Sequence, residues 1–247
     1  ELFVEQMNRR ASELGMADPH FVNCTGLTAE GHVTSAHDIA LMSRELLLHH
    51  PDIRRFTTIW MDTIRDGAFQ LANTNKLIRF YDGATGLKTG YTASAGYCIS
   101  ATAERDGMEL IAGIMKAPDK GTRTKDAKAL LNYGFSTYAL ADALPPEPLT
   151  PVQVVMGASD AVQPVPETES TAVLVEKAKA GGLSRTVTLE PQVAAPVEAG
   201  QRLGAADRAA GGGGSRGAAQ LGAGIHPASA HGGFRGVDGL FPLVIWI

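Results

Sequence analysis

The stretch GATGLKTGYT, residues 83–92, decides how the rest of this sequence is interpreted. It places a lysine among three glycines, and three interpretations are open: a phosphate-binding loop, a tight turn with an incidental lysine, and one wall of an acyl-transfer site. A Walker loop requires the pattern G-x-x-x-x-G-K-[ST], and Leu87 separates Gly86 from Lys88, so the phosphate-loop pattern fails. The turn and the acyl-transfer wall both stay open on these residues alone.

The residues that follow place this stretch on a strand of an antiparallel sheet. Residues 96–115, GYCISATAERDGMELIAGIM, predict two apolar strands joined by a tight turn at Asp106-Gly107. A strand that reads Lys-Thr-Gly beside this hairpin presents three features to an acyl-transfer reaction. Lys88 carries a positive charge, Thr89 carries a hydroxyl donor, and Gly90 has no side chain, so a substrate can pair with the strand backbone.

Helical and strand patterns alternate through the rest of residues 1–142. A helix is predicted over residues 34–50, with Thr34 or Ser35 as its cap and Asp38 in its first turn. Other predicted elements are a helix that ends at Gly15, a strand over 56–64 with a turn at 66–67 and a return over 68–73, and an amphipathic helix over 121–140. The core face of that last helix is predicted to hold Ala127, Leu130, Leu131 and Tyr133 or Gly134. This mixture predicts an α+β fold.

The composition changes after residue 142. Residues 143–150 contain three prolines and predict a stiff linker, and residues 151–203 read as short alternating strands of a small all-β domain. Residues 204–247 hold 12 of the 28 glycines and no lysine or glutamate. We expect this tail to be disordered, either as a flexible linker with a short apolar end or as out-of-frame translation.

Composition also narrows the classes of partner. The net charge is −4 and the basic residues are scattered, which argues against nucleic acid as a main partner. Cys24 and Cys98 are interpreted as two small buried thiols. The histidines, including His49-His50 at a predicted helix end, do not show the spacing of a metal site, so no metal site is predicted.

The motifs together resemble the D-alanyl-D-alanine carboxypeptidases, the penicillin-binding proteins of low molecular mass. Their serine-acylating fold is shared with class A β-lactamases. The resemblance is strong over residues 1–140 and weaker over the small β domain, and it implies that residues 1–142 are the C-terminal part of a catalytic domain. The segments that carry it, in the family's order, are HFVNCTGLTAEGHVTSAHDIALMSREL, LANTNKLI, GATGLKTGYT, AGYCISAT and GTRTKDAKALLNYGF.

The resemblance assigns roles to individual residues. Lys88, Thr89 and Gly90 match the family's Lys-Thr-Gly motif, in which the lysine stabilises the acylation site electrostatically. Thr89, with Thr92, would hydrogen-bond the terminal carboxylate of a D-Ala-D-Ala peptide, and the backbone N–H of Tyr91 would form half of an oxyanion hole. Arg123 falls where the family keeps a carboxylate-binding arginine, for which a bidentate guanidinium is suited. The structural alternative for Arg123 is a surface residue at a helix start.

The sequence departs from the family in its other two motifs. None of its 11 serines is followed by lysine at the third position or by asparagine at the second, so S-x-x-K and S-x-N are both missing. We therefore expect an N-terminally truncated chain that lacks the nucleophile and is inactive alone.

The resemblance implies a parent hydrolase of peptidoglycan maturation, without a cofactor, that acts outside the cytoplasmic membrane and is acylated by β-lactams. A membrane-surface association through a native C-terminus is part of this expectation. The alternatives are a non-catalytic peptidoglycan- or partner-binding module and a class A-type β-lactamase.

Overall fold

The computed structural model describes residues 1–142, 144, 147–166, 172–210, 214–223 and 243–246. The chain divides into two compact units, Glu1–Ser136 together with Phe241–Ile247, and Thr137–Leu240. Each unit has its own sheets and its own core. In the described part of the chain, no helix is both long enough and apolar enough to cross a membrane.

The first unit combines helices with a four-stranded sheet and a separate hairpin. Its helices are α1 Leu2–Glu13, α2 Ala36–His49, α3 Arg54–Thr57, α4 Leu77–Phe80 and α5 Lys120–Thr137, with a 3₁₀ turn at Pro51–Ile53. Its strands are β1 Met61–Ile64, β2 Phe69–Ala72, β3 Ala84–Thr92, β4 Gly96–Arg105 and β5 Met108–Ala117. Strands β1 and β2 pair with each other, which confirms the predicted turn at 66–67. The α+β fold predicted from the sequence is confirmed for this unit.

The four-stranded sheet holds the strand that reads Lys-Thr-Gly. Its order is β15-β5-β4-β3, where β15 spans Leu243–Trp246. Strands β3, β4 and β5 form an antiparallel meander, and β15 runs parallel to β5. The predicted turn between β4 and β5 is confirmed, because Asp106 and Gly107 have φ angles of 51° and 74°, as a type I′ turn requires. In this sheet β4 lies between β5 and β3, and β3 is the last described strand on its side.

Helices α2 and α5 each bury apolar side chains in this unit. In α2, Ala40 and Leu47 pack with Ile111 of β5, and Leu87 of β3 packs against the same cluster. In α5, the predicted core face is confirmed at Ala127, Leu130, Leu131 and Gly134, all buried, whereas Tyr133 is 55% exposed. The motif strand β3 is therefore packed against α2 and β5 through Leu87.

Three local expectations are wrong. Residues 54–57 are helical, so the predicted strand over 56–64 is present only from Met61. The helical turn begins with the 3₁₀ turn at Pro51, and Thr57 Oγ1 donates to the carbonyl of Thr85 at 2.7 Å, which ties α3 to β3. Cys24 is exposed rather than buried, and Cys98 is half-buried.

The second unit consists of strands around a small apolar core. Strand β6 Tyr138–Asp142 pairs with β10 Ala172–Glu176. The other two sheets have the orders β11-β13-β14-β9 and β12-β7-β8. Their strands are β7 Val152–Val155, β8 Ala161–Val162, β9 Pro164–Pro166, β11 Leu183–Leu189, β12 Gln192–Ala194, β13 Arg202–Ala210 and β14 Gly214–Ala223, with a 3₁₀ helix at Lys177–Gly182. Val152 and Leu203 are the buried centre of this unit. These strands agree with an all-β region, and the domain limits at 142, 150 and 203 stay predictions.

The structure differs from the expected disorder of the tail in the residues it describes there. Strand β13 continues to Ala210, β14 pairs with β13 and β9, and β15 joins the sheet of the first unit. Strand pairing needs backbone groups rather than large side chains, which is why a glycine- and alanine-rich stretch can form a ladder. At Gly204, a β-carbon would lie 2.2 Å from the carbonyl oxygen of Thr188, so this glycine permits the close approach of β13 to β11. Residues 211–213, 224–242 and 247 lie outside the described residues, and out-of-frame translation stays a prediction.

Candidate functional site

The Lys-Thr-Gly motif lies on β3, the last strand of its sheet among the described strands. Lys88, Thr89 and Gly90 pair with Ser100, Ile99 and Cys98 of β4 on one side. The other side of an edge strand presents backbone N–H and C=O groups that a peptide in extended conformation can pair with. The motif is therefore placed where a substrate backbone can add to the sheet.

Side chains of neighbouring strand residues point to opposite faces, and this separates Lys88 from Thr89. The cross-strand partner of Lys88 is Ser100, whose Oγ lies 2.7 Å from Ser43 Oγ in helix α2, so Lys88 belongs to the α2 face. Lys88 is exposed, and its ammonium donates to the carbonyl of Thr89. In the described part of the chain, Lys88 makes no ion pair, which leaves its charge available at the strand edge.

Thr89 is held from the opposite face by the segment that precedes helix α4. Its Oγ1 lies 2.6 Å from Oγ1 of Thr74. The segment is fixed by the buried Asn75, whose side-chain amide donates to the carbonyl of Gly86 at 2.7 Å and whose Oδ1 accepts from the N–H of Leu77 at 3.1 Å. Sequence reasoning missed Thr74. The Asn-Thr-Asn run at residues 73–75 could have indicated an ordered turn here, since asparagine side chains commonly hydrogen-bond the backbone in turns before a helix.

Arg123 is brought to the same site by helix α5. Its side chain is buried, with 5% of its surface exposed, so the alternative of a surface residue is wrong. Its Nη1 donates to the carbonyl of Cys98 at 3.5 Å, and Cys98 is the cross-strand partner of Gly90. The guanidinium therefore lies next to β4, one strand further into the sheet than the motif on β3. Arg123 and Thr74 line the same groove, so the structure brings together the arginine and the threonine pair.

Within the part of the chain that the structure describes, the charge of Arg123 has no anion beside it. Among the described residues it takes part in no ion pair, and its Nε is buried without a hydrogen-bond partner. Burial lowers the pKa of the Arg123 guanidinium, because the surrounding protein solvates the charged form less well than water does. A buried cation without a counter-ion is costly, and an anionic ligand at this position would offset that cost.

The other two predicted site residues, Tyr91 and Thr92, lie further along β3. Tyr91 is 58% exposed, and its ring packs against Tyr97 with the ring centroids 4.3 Å apart. Thr92 lies at the turn into β4, where its Oγ1 accepts from the N–H of Ala95 at 3.0 Å. The structure does not bring Thr92 together with Arg123 and Thr89, because Thr92 and Thr89 are three residues apart on the strand and alternate in direction. A carboxylate contact to Thr92 stays a prediction.

Comparison with solved structures places this architecture among the penicillin-binding proteins. A peptidoglycan synthesis regulatory factor (PBP3) from Streptococcus pneumoniae matches in fold with a TM-score of 0.68 and 23% identity, over 90% of this chain and 68% of that chain. Penicillin-binding protein D2 from Listeria monocytogenes, in its cefotaxime-bound form, is 38% identical with a TM-score of 0.51, over 54% of this chain and 55% of that chain. The fold of this chain is therefore that of the penicillin-binding and transpeptidase-like proteins.

Sequence comparison narrows the class to a family. Residues 1–119 match the model of the D-alanyl-D-alanine carboxypeptidases, peptidase family S11. The D-alanyl-D-alanine carboxypeptidase DacF from Bacillus subtilis is 35% identical over 209 residues, 83% of this chain and 53% of its own length. DacC from Escherichia coli is 29% identical over 212 residues, 84% of this chain and 52% of its own length. These matches assign residues 1–119 to the D-alanyl-D-alanine carboxypeptidase family, and the chain spans about half the length of these curated relatives.

Proposed function

We propose that this chain supplies the carboxylate-binding wall of a serine-type D-Ala-D-Ala carboxypeptidase, an enzyme that trims terminal D-alanine from peptidoglycan stem peptides. The observation that carries the proposal is the buried guanidinium of Arg123, which has no counter-ion in the described part of the chain and lies one strand from Gly90. A peptide C-terminus supplies the missing anion, and the arginine fork binds a carboxylate through two parallel hydrogen bonds.

The substrate would lie along the open edge of β3. Its backbone would pair with the strand at Gly90, and its terminal carboxylate would lie between the hydroxyl of Thr89 and the guanidinium of Arg123. The penultimate carbonyl would then face the backbone N–H of Tyr91, the group assigned to the oxyanion hole. Lys88, on the other face of β3, would stabilise negative charge that develops at the acylation site.

The reaction proposed for the whole enzyme has two steps. A serine oxygen attacks the penultimate carbonyl, its proton is passed to the departing amine, and the peptide bond breaks to release D-alanine and leave an acyl-serine ester. Water then hydrolyses that ester. None of the 11 serines in this sequence stands in an S-x-x-K pattern, so in this chain the described groups bind and orient the substrate.

The expected reaction with β-lactams and the expected location of the enzyme follow from the same proposal. β-lactams would acylate the serine of the whole enzyme; the Listeria relative is a penicillin-binding protein with cefotaxime bound. A peptidoglycan substrate places the enzyme outside the cytoplasmic membrane. A non-catalytic peptidoglycan-binding module would share the carboxylate site but would not complete the two steps above.

The proposed function is tested by binding to a matched pair of peptides. We expect this chain to bind a short peptide that ends in D-Ala-D-Ala with a free carboxylate, and to bind the same peptide with a C-terminal amide about 10- to 100-fold more weakly. The reason is that a charge-assisted hydrogen bond contributes about 1.5–3 kcal/mol, and the amide removes the charge that Arg123 requires. Affinities would be measured by calorimetric or NMR titration.

Two further outcomes of this titration are informative. Equal affinity for the free acid and the amide would contradict the carboxylate site. A peptide ending in L-Ala-L-Ala is the stereochemical control, and binding as tight as that of the D-Ala-D-Ala peptide would contradict recognition of the terminal residues by β3.

Gly90 offers a test of the open strand edge. A β-carbon at this position would meet no atom of the described residues within 4 Å, and Gly90 does not have a positive φ. Gly90→Val should therefore leave the urea-unfolding midpoint nearly unchanged, since β-branched residues suit strands. Peptide affinity should fall about tenfold or more, because the valine would occupy space that the substrate backbone requires. Unchanged affinity in a folded Gly90→Val variant would show that the substrate does not approach β3 at this residue.

A further inference from the structure

The groove that begins at Thr74 and Arg123 continues along helix α5 and is lined by five cationic side chains. It has a volume of about 550 Å³. Its cations are Lys76 on one wall and Lys120, Arg123, Lys125 and Lys128 on α5. No carboxylate is among the described residues that line it. The acidic residue next to the helix start, Asp119, accepts hydrogen bonds from the N–H and hydroxyl of Thr122 at 2.8 and 2.7 Å, and these hold its pKa below the ordinary value.

The cations are spread along the groove rather than gathered at one point. Lys120 and Lys128 are eight residues apart on one helix, which at a rise of about 1.5 Å per residue separates them by roughly 12 Å along the axis. Lys128 donates to the carbonyl of Phe80 at 3.2 Å, and the buried Arg123 has an Nε without a hydrogen-bond partner among the described residues. A single small anion can meet only part of this row, whereas a chain with repeated negative charges can meet all of it.

The geometry points to a flexible chain of phosphodiesters as the ligand of this groove, and we propose that the groove binds such a polymer. Lysine ammonium groups act as point charges that suit phosphate oxygens, and they outnumber the single arginine here. The described lining contains no aromatic residue, so a single-stranded nucleic acid would find no surface on which to stack its bases. The groove is concave, so the flat surface of a bilayer does not match it. The groove shares Arg123 with the proposed carboxylate site, but its four lysines are not part of that site.

The probe is a fluorescently labelled glycerol-phosphate oligomer, titrated with the whole 247-residue chain. We expect binding that weakens steeply as salt is raised. The triple variant Lys76→Gln, Lys120→Gln, Lys125→Gln should bind about tenfold more weakly, since each exposed charge pair contributes a modest amount. These three side chains are exposed. The control variant Arg9→Gln, Arg55→Gln, Lys116→Gln removes the same charge from exposed positions outside the groove and should bind like the wild type.

Three results would overturn the proposal. The first is equal loss of binding in the two triple variants, which would mean that net charge alone attracts the oligomer. The second is an affinity for oligothymidylate of equal charge that matches or exceeds the affinity for the oligomer, which would identify a nucleic-acid site. The third is tight co-sedimentation with phosphatidylglycerol vesicles without oligomer binding, which would identify a membrane surface. Peptide titration of the lysine variant is a separate readout, because its three lysines are not in the proposed carboxylate site.

Discussion

Replacing Arg123 by alanine is expected to weaken binding of a peptide ending in D-Ala-D-Ala by about 10- to 100-fold, the loss of one or more charge-assisted hydrogen bonds. The residual affinity should equal that of the amide-terminated peptide, because the variant removes the group that distinguishes the two. Titration of both peptides against both proteins forms a double-mutant cycle. The coupling between the guanidinium and the carboxylate is the quantity that the cycle isolates.

The stability of the Arg123 variants gives an independent check. Arg123 is 5% exposed and has no ion pair among the described residues, and burial lowers the pKa of its guanidinium. Because the protonated side chain is disfavoured in the unliganded fold, Arg123→Met should be neutral or stabilising towards urea while it still loses peptide affinity. Arg123→Lys keeps a charge but not the fork, so it should restore part of the affinity.

The matched control is Arg65→Ala, in the turn of the separate β1–β2 hairpin, where the side chain is exposed. It should change neither peptide affinity nor the preference for the free acid. If Arg123→Ala binds the free acid as tightly as the wild type does, Arg123 is not the carboxylate partner. If Arg123→Met is strongly destabilised, the arginine has a structural role that the described contacts do not account for.

Replacing Asp38 by alanine is expected to lower the free energy of unfolding by about 2–4 kcal/mol, since several donors would lose a buried anionic acceptor at once. Asp38 is fully buried. Its Oδ1 accepts from the N–H of Ala17 at 3.1 Å, and its Oδ2 accepts from the N–H of Asp18 at 3.2 Å and from the hydroxyl of Ser35 at 2.7 Å. One carboxylate thus ties the segment after α1 to the start of α2.

The expected signature of Asp38→Ala is a lower urea midpoint with an unchanged slope. Asp38→Asn keeps one acceptor oxygen and should lose less stability. Ser35→Ala removes the helix cap, whose hydroxyl accepts from the N–H of Asp38 at 3.2 Å, and one of the donors to Asp38 Oδ2, and should cost about 1–2 kcal/mol. Asp52→Ala, at an exposed carboxylate, should stay within about 0.5 kcal/mol of the wild type. A loss for Asp38→Ala no larger than that for Asp52→Ala would contradict the anchoring role.

Elements whose structure depends on residues adjacent in the sequence could be predicted from the sequence. The β4–β5 hairpin follows from Asp106-Gly107, because these residues tolerate the positive φ angles of its turn. Helix α2 follows from its cap at Ser35 and from Pro51, and the core face of α5 follows from the spacing of its apolar residues. The motif strand was predicted because residues 83–92 lead directly into that hairpin of an antiparallel sheet.

Other features were decided only by the tertiary structure. Residues 56 and 57 were predicted as the start of a strand but belong to helix α3, because the turn at Pro51 continues into α3 and Thr57 bonds to β3. The strands of the tail depend on ladders formed with distant strands, which local composition does not report. Local preference is weak compared with the hydrogen bonds and burial that a distant partner provides.

The sequence by itself determined the family motif, the antiparallel hairpin beside it and the candidates Lys88, Thr89 and Arg123. The tertiary structure decided which of them meet. Thr74 reaches Thr89 across 15 residues and Arg123 reaches the carbonyl of Cys98 across 25, contacts that depend on how α4 and α5 pack on the sheet. The same packing buries Arg123 without a counter-ion among the described residues and lines a groove with lysines. A linear pattern shows that a charge is present, but its burial, its partners and therefore its ligand depend on chain segments that meet only in the folded protein.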